Sequence, residues 1–408
     1  MSLESLVRAT LGIKDHRVVR VTGGVGGLRV ELDTARRRRL PCGSCGRRYR
    51  VRDRLPERAW RHVPLWGVRV LLMYRPARVK CRDCGIREEA IPWGSGKSPL
   101  SEPLVVVLAT WSRLLAWDVV GRLFGVSWST VRVAVERAVA YGQAQRRDDE
   151  LSHLGIDEIS RRKGHIYHTQ VYDLARKRLV WSGPDRDGDS LRRFFTWLGP
   201  ERCARIQGIC CDMWAPYVDV IREMCPNAVL VFDKFHIVSH LLKAVNDVRK
   251  AEARELSKIH PELLKGTRYI WLKNHGNLTS RQEVRLSILE KLNLKTNRAY
   301  LLKELFSMLW NCDSRKKAET FFTWWFWQAT HSRLEPMRRF AWMVRRHLDG
   351  VLAWFDVPID NGAVEAMNNN AKAISHRARG YRTAKTFILA MMHGMGKLPL
   401  PQTVHTFS

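Results

Sequence analysis

The apolar positions along this chain change their spacing several times, and each change predicts a different kind of element. Residues 1–98 carry short β-like runs, as at 17–22 and 68–74. Residues 99–148 switch to helical spacing, with apolar faces at 104–108 and 131–139. From 149 to 245 short apolar runs alternate with helical stretches, the pattern of an α/β domain. Within it, runs reaching Asp157 and Asp212 predict two strands, 165–174 with 178–182 a hairpin, and 191–198 a helix. Residues 246–350 read as helix after helix, with Ser280 and Glu283 spaced as a capping box. In the closing segment, 351–408, one long helical pattern covers 363–392.

Composition narrows the class. The chain has 408 residues, 45% of them hydrophobic, enough for several domains with a sizeable core. Its formal net charge of +30 is spread over the whole length and points to a polyanionic partner, most simply DNA. No apolar run is long enough to span a bilayer and no signal peptide is evident, so the expectation is a cytoplasmic, nucleoid-associated protein without membrane attachment. Nine cysteines, an odd number, argue against a disulfide framework.

Four of those cysteines form two matched pairs, Cys42-Gly-Ser-Cys45 and Cys81-Arg-Asp-Cys84. Two residues between thiols let both sulfurs of a tight turn reach one tetrahedral ion, and two such turns complete a structural zinc site. Arginines at 36–39, 47, 48, 50, 52, 54, 58 and 61, with Trp60 and Trp66 among them, give this ribbon a DNA-binding composition. The other five cysteines read as apolar thiols. A helix-turn-helix follows: a helix at 117–124, a turn at Gly125, Val126 packing between the helices, and Ser127 capping the second. Ser129, Thr130 and Arg132, at the start of that second helix, would then face the major groove.

An ionised carboxylate at the end of a buried strand is costly unless it is paired, hydrogen-bonded or bound to metal. Asp157 and Asp212 stand in that position and could meet across neighbouring strands. A hard cation such as Mg2+ prefers such oxygens, and two ions roughly 3.5–4 Å apart assist phosphoryl transfer. Either acid alone is better explained as a turn cap.

The ordered set Asp157-Glu158, Cys211-Asp212-Met213-Trp214-Ala215-Pro216-Tyr217, Asp233-Lys234-Phe235-His236 and Asn361-Gly362-Ala363-Val364-Glu365-Ala366-Met367-Asn368-Asn369 resembles the DDE transposases of bacterial insertion sequences, in particular the ISL-three family. The resemblance implies an RNase H-like α/β catalytic domain with an all-α insertion, preceded by a zinc ribbon and a helix-turn-helix domain. It places Asp157 on the first strand, Asp212 after the fourth and Glu365 on a late helix, all three as catalytic ligands for two Mg2+ (or Mn2+) ions. Asp233 and His236 match a D-x-x-H signature with a supporting role. The implied domains are 1–98 (zinc ribbon), 99–148 (helix-turn-helix), 149–245 and 351–408 (catalytic), and 246–350 (helical insertion). The 153 residues from Asp212 to Glu365 leave room for that insertion.

Spacing adds an independent point. Lys372 and Arg379 follow Glu365 at seven-residue steps, one helical face on which an acid would meet metal and two cations the DNA backbone. Asn368, Asn369 and His376 could add contacts to phosphate or base. Seven of the 16 tryptophans fall between 271 and 354, and helical spacing makes most of them core. The expected activity is metal-dependent cleavage and transfer of DNA strands at terminal inverted repeats, by at least a dimer. A structure-specific nuclease or a DNA-binding regulator is the alternative.

Overall fold

In a computed structural model, residues 4–5, 15–35, 39–146, 150–162, 166–260, 262–360 and 362–401 are described. Arg36–Arg38, His165 and Asn361, used above, lie outside them. The chain divides into two compact units, Met1–Arg147 with Ile374–Ser408, and Asp148–Ala373. Among the described residues no helix is long and apolar enough to cross a membrane.

The first unit begins with a four-stranded sheet. Strands β1 (His16–Gly24) and β2 (Gly27–Thr34) form a hairpin, and two short strands, β3 (Leu40–Pro41) and β4 (Arg48–Tyr49), pair with each other. After β5 (Val51–Arg54), β6 (Arg58–Leu65) pairs antiparallel with β7 (Val68–Tyr74), which adds parallel to β2. Strands β8 (Ala77–Cys81) and β9 (Gly85–Glu88) complete a three-stranded sheet with β5. Val30, Leu72, Tyr74, Trp93 and Trp60 fill the core, so Trp60 is structural and not one of a set of exposed aromatics. Three helices follow, α1 (Glu102–Leu114), α2 (Trp117–Phe124) and α3 (Trp128–Gln145), packed through Leu104, Leu108, Val120, Val131 and Ala134.

The second unit holds a five-stranded sheet. In chain order its strands are β10 (His153–Arg162), β11 (Ile166–Asp173), β12 (Arg178–Pro184), β13 (Gly208–Cys211) and β14 (Val229–Phe232), and in space β12-β11-β10-β13-β14. The first three form an antiparallel meander, while β13 and β14 run parallel to β10. Helices α4 (Gly188–Leu198), α5 (Pro200–Cys203) and α6 (Ala215–Met224) supply the crossovers that parallel strands require. Their apolar stripes meet the sheet in a core that includes Ile156, Phe194, Phe195, Tyr217 and Ile221.

The helical region starts with α7 (Lys234–Leu256), which runs straight through residue 246, where the sequence reading drew a boundary. Helices α8 (Arg268–Leu272), α9 (Ser280–Glu290), α10 (Lys295–Ser307), α11 (Arg315–His331), α12 (Glu335–Arg346) and α13 (Leu348–Leu352) follow. They share one core with Phe232 of the sheet, built on Trp271, Tyr300, Phe306, Trp325 and Phe340. The capping box falls one residue earlier than expected, on Thr279 and Gln282, because Thr279 has the extended backbone that the cap needs. The tryptophan expectation holds for Trp271, Trp310 and Trp325, whereas Trp324, Trp327 and Trp342 are about half exposed.

The single long helix expected at 363–392 is two, α14 (Gly362–Arg377) and α15 (Ala384–Met395). The break comes at Arg379 and Gly380, both left-handed (φ 55° and 89°), whose N–H groups return to the carbonyls of His376 and Ser375 and end the helix. Beyond it, α15 belongs to the first unit, where His393 meets the Ala109 carbonyl at 2.8 Å. The segment 351–408 is therefore divided between the units.

Candidate active site and cysteine cluster

Strand register places the acids. Gly155 of β10 lies beside Cys210 of β13, and Cys211 beside Phe232 of β14. Asp157 is two residues beyond Gly155, Asp212 two beyond Cys210, and Asp233 one beyond Phe232. Carried past the paired residues, this register sets Asp157 of β10 level with Asp212 and Asp233, which stand just beyond the ends of the parallel strands β13 and β14.

Each acid has its own partners. Asp157 accepts the Glu158 N–H at 2.7 Å through one oxygen and the Asn368 amide at 2.6 Å through the other. Asn368 in turn accepts the Tyr172 hydroxyl at 2.6 Å. Asp212 accepts the Met213 N–H at 2.6 Å and lies 3.7 Å from His236 Nδ1. Asp233 caps α7 by accepting the Phe235 N–H at 3.1 Å, and lies 3.7 Å from His236 Nε2. His236 therefore stands between two carboxylates. Burial pushes the Asp157 carboxyl above its usual range, against the Glu158 N–H that favours the charged form. Burial likewise pushes Asp233 up to about 6.

Alternation along β10 sends Glu158 to the opposite face from Asp157. There it pairs with Arg186 at 3.2 Å, and the Arg186 guanidinium stacks 4.1 Å from the centre of the Trp214 ring.

Glu365 behaves differently. It is exposed on the first turn of α14, one turn before the buried Asn368 that holds Asp157. Among the described residues the cysteines are the one His/Cys/Asp/Glu group whose ligand atoms all lie within 4.8 Å, so Glu365 does not close such a cluster with the two aspartates. Lys372 is exposed on the same helix, but Arg379 is not part of any helical stripe, because α14 ends at Arg377. Asn368 faces inward, so the DNA contact expected of it is replaced by the bonds to Asp157 and Tyr172. Asn369 and His376 are exposed.

In the first unit Cys42, Cys45, Cys81 and Cys84 converge, with Cys45 and Cys81 Sγ 3.5 Å apart. Sulfurs around a tetrahedral ion at 2.3 Å would sit about 3.8 Å apart, so the set fits a zinc-sized ion. Although burial opposes it, N–H groups of Cys84 and Asp83 help bring the Cys81 thiol down to about 6, towards the thiolate that a metal needs. Around it the arginines are largely engaged. Arg47 pairs with Asp83, Arg48 with Asp15, Arg54 with Asp33 and Arg58 with Glu88. Arg61 donates to the Phe124 and Gly125 carbonyls (2.5 and 2.7 Å), which makes it a support for the helical turn.

That turn has the expected form. Gly125 is left-handed (φ 58°), and Ser127 caps α3 by accepting the Thr130 N–H at 3.2 Å. The Ser129 and Thr130 hydroxyls also meet Ser127 Oγ, and Arg132 pairs with Glu136 one turn on. Of the three residues expected to face DNA, Ser129 is exposed and the other two are half-buried.

Comparison with known proteins adds what geometry does not. A family model described as Transposase (DDE_Tnp_ISL3) matches residues 154–391. The transposase for insertion sequence element IS1001 of Bordetella parapertussis is 30% identical over 353 residues, 85% of this chain and 87% of that protein. The transposase for insertion sequence element IS1557 of Mycobacterium tuberculosis (strain CDC 1551 / Oshkosh) is 30% identical over 389 residues, covering 88% and 86% of the two chains.

Proposed function

Because the chain belongs to the DDE transposases of the ISL3 family, we propose that Asp157 and Asp212 are the catalytic carboxylates of its DNA transposition reaction, with Glu365 as the third. The protein is a transposase enzyme, and its family implies both DNA binding and a divalent metal. The observation that carries the residue assignment is the register, which sets Asp157 level with Asp212. No Lys or Arg ion pair reaches either carboxylate among the described residues, so oxygen atoms remain for a cation. Asp157 on the first strand and Asp212 after the fourth also support an RNase H-like reading of the sheet, with the helical region inserted before α14.

Asp157 and Asp212, with Glu365, would hold Mg2+ or Mn2+, which would supply positive charge for phosphoryl transfer. The chain's own residues keep the site in order. Asn368 fixes the Asp157 carboxylate, the Tyr172 hydroxyl fixes Asn368, and His236 bridges Asp212 and Asp233. The zinc ribbon, with zinc on the four cysteines, and the helix-turn-helix would bind the terminal inverted repeats. Lys372 and Arg379 would contact the DNA backbone, and Ser129, Thr130 and Arg132 would face the major groove. Joining two ends calls for at least a dimer in the cytoplasm, on the nucleoid.

A specific observation favours a second reading of the third ligand: Asp233 is level with Asp212 while Glu365 is exposed. Cleavage of end-bearing DNA tests both. Asp157→Asn and Asp212→Asn should bind ends and cut none; persistent cutting in either overturns the assignment. Glu365→Gln should be as inactive as these, and an active Glu365→Gln with an inactive Asp233→Asn would transfer the role to Asp233. Joining of pre-cut ends to a plasmid separates a transposase from a plain nuclease.

A further inference from the structure

The polar face of α7 does not stop at the candidate active site. His236, His240, Lys243 and Asp247 follow one another at steps of four, three and four, the repeat of a single helical face. Past its first turn this face forms one wall of a cleft whose other wall is α12, and Phe340 and Met343 of α12 lie between them. Two cations look into the cleft from opposite sides, Lys243 from α7 and Arg339 from α12, with His240 beside them. His240, Lys243 and Arg339 are exposed. Arg339 Nε lies 3.8 Å from a Glu335 oxygen. Asp247, half-buried, is the acid of the cleft and stands at its far end.

We propose that this cleft binds a phosphate of the DNA strand that leaves the active site, held between Lys243 and Arg339 with His240 as a further donor. The proposal rests on the reading of Asp157 and Asp212 as the cleavage site. Lys243 lies seven residues beyond His236, about 10 Å along the helix axis. For a duplex whose axis follows α7, with a rise of about 3.4 Å per phosphate, the held phosphate would lie about three nucleotides from the cut. Opposed cations suit a phosphate that needs charge from two sides, and Phe340 and Met343 offer an apolar floor to the sugar edge. Asp247 repels the next phosphate, which limits the cleft to one or two contacts. The contact is blind to sequence, and its effect is to fix how far the strand has advanced through the site.

Chemical footprinting of the full chain tests this directly. An amine-acylating reagent is applied with and without a blunt duplex of about 30 base pairs, and Lys243 modification is read by mass spectrometry. Labelling of Lys243 should fall several-fold when the duplex is saturating; unchanged labelling overturns the cleft. In parallel, Lys243→Ala with Arg339→Ala should lower the dependence of log affinity on log salt by about one, the share of a single phosphate, with Lys243→Arg retaining it. A slope equal to that of the unaltered protein also overturns the proposal. Asp157→Asn separates the two claims. Protection of Lys243 in a protein whose cutting survives Asp157→Asn leaves the cleft standing and removes the active-site reading. Cutting that depends on Asp157, with Lys243 unprotected, does the reverse.

Discussion

Asn368 joins the half-buried Asp157 carboxylate to the buried Tyr172 hydroxyl. Asn368→Ala should cost about 1–3 kcal/mol, the usual penalty for orphaned buried polar groups. Denaturant unfolding checks this, and combining it with Tyr172→Phe should cost less than the sum of the two single changes. A purely additive result would mean the two side chains do not interact. His393 makes a pH prediction. Burial holds its folded pKa down to about 4, despite the Ala109 carbonyl that favours the charged form. As pH falls below about 6.5 the unfolded state therefore takes up the proton first. This contribution is complete above that pH and is lost as pH falls towards 4, about 3 kcal/mol in all. His393→Gln should melt with a smaller difference between pH 7 and pH 4.5 than the unaltered protein; an equal difference refutes the assignment. The pairing of Asp157 with Asn368 crosses 211 positions, which is why the sequence read Asn368 as a surface residue.

At the scale of elements, the turn between α2 and α3 is tightly determined. Gly125 is left-handed, and a Cβ at Gly121 would meet the Val126 carbonyl oxygen at 2.7 Å. Gly121→Val should open the turn and weaken duplex binding, while Ser127→Ala should cost about 1 kcal/mol through the lost cap alone. Thermal unfolding and anisotropy with labelled duplex read the two effects separately; a Gly121→Val protein that binds DNA normally would show that α3 is not a recognition helix. The motif was legible because glycine, an apolar staple and a serine cap act within a few residues. The α14–α15 break was not legible, since seven-residue spacing presumes a continuous helix and two left-handed residues at 379–380 interrupt it. Arg379 lost its place in the stripe for that reason alone.

For the whole molecule, the net charge of +30 overstates what DNA can see, because many ribbon arginines are already paired with acids of the same unit. The four cysteines converge in a region of short strands, where the proposed zinc would act as a local staple and its loss would be felt first. Cys42→Ser with Cys81→Ser should purify without zinc and show greater protease sensitivity over β3–β9. Zinc retained at one equivalent would refute a shared site. Folding of the second unit should survive, because its cores draw on no residue of the ribbon.

Wherever neighbouring residues fix a structure, the sequence alone determined it: strand-end acids, paired cysteines, the capped turn, and the family they compose. Level placement of Asp157, Asp212 and Asp233 required the parallel register of three strands far apart in the chain. Which tryptophans are buried, which arginines are free, and where Asn368 points were decided only by tertiary packing. Each depends on a partner that sequence spacing does not encode, whereas a turn or a cap carries its partner within reach.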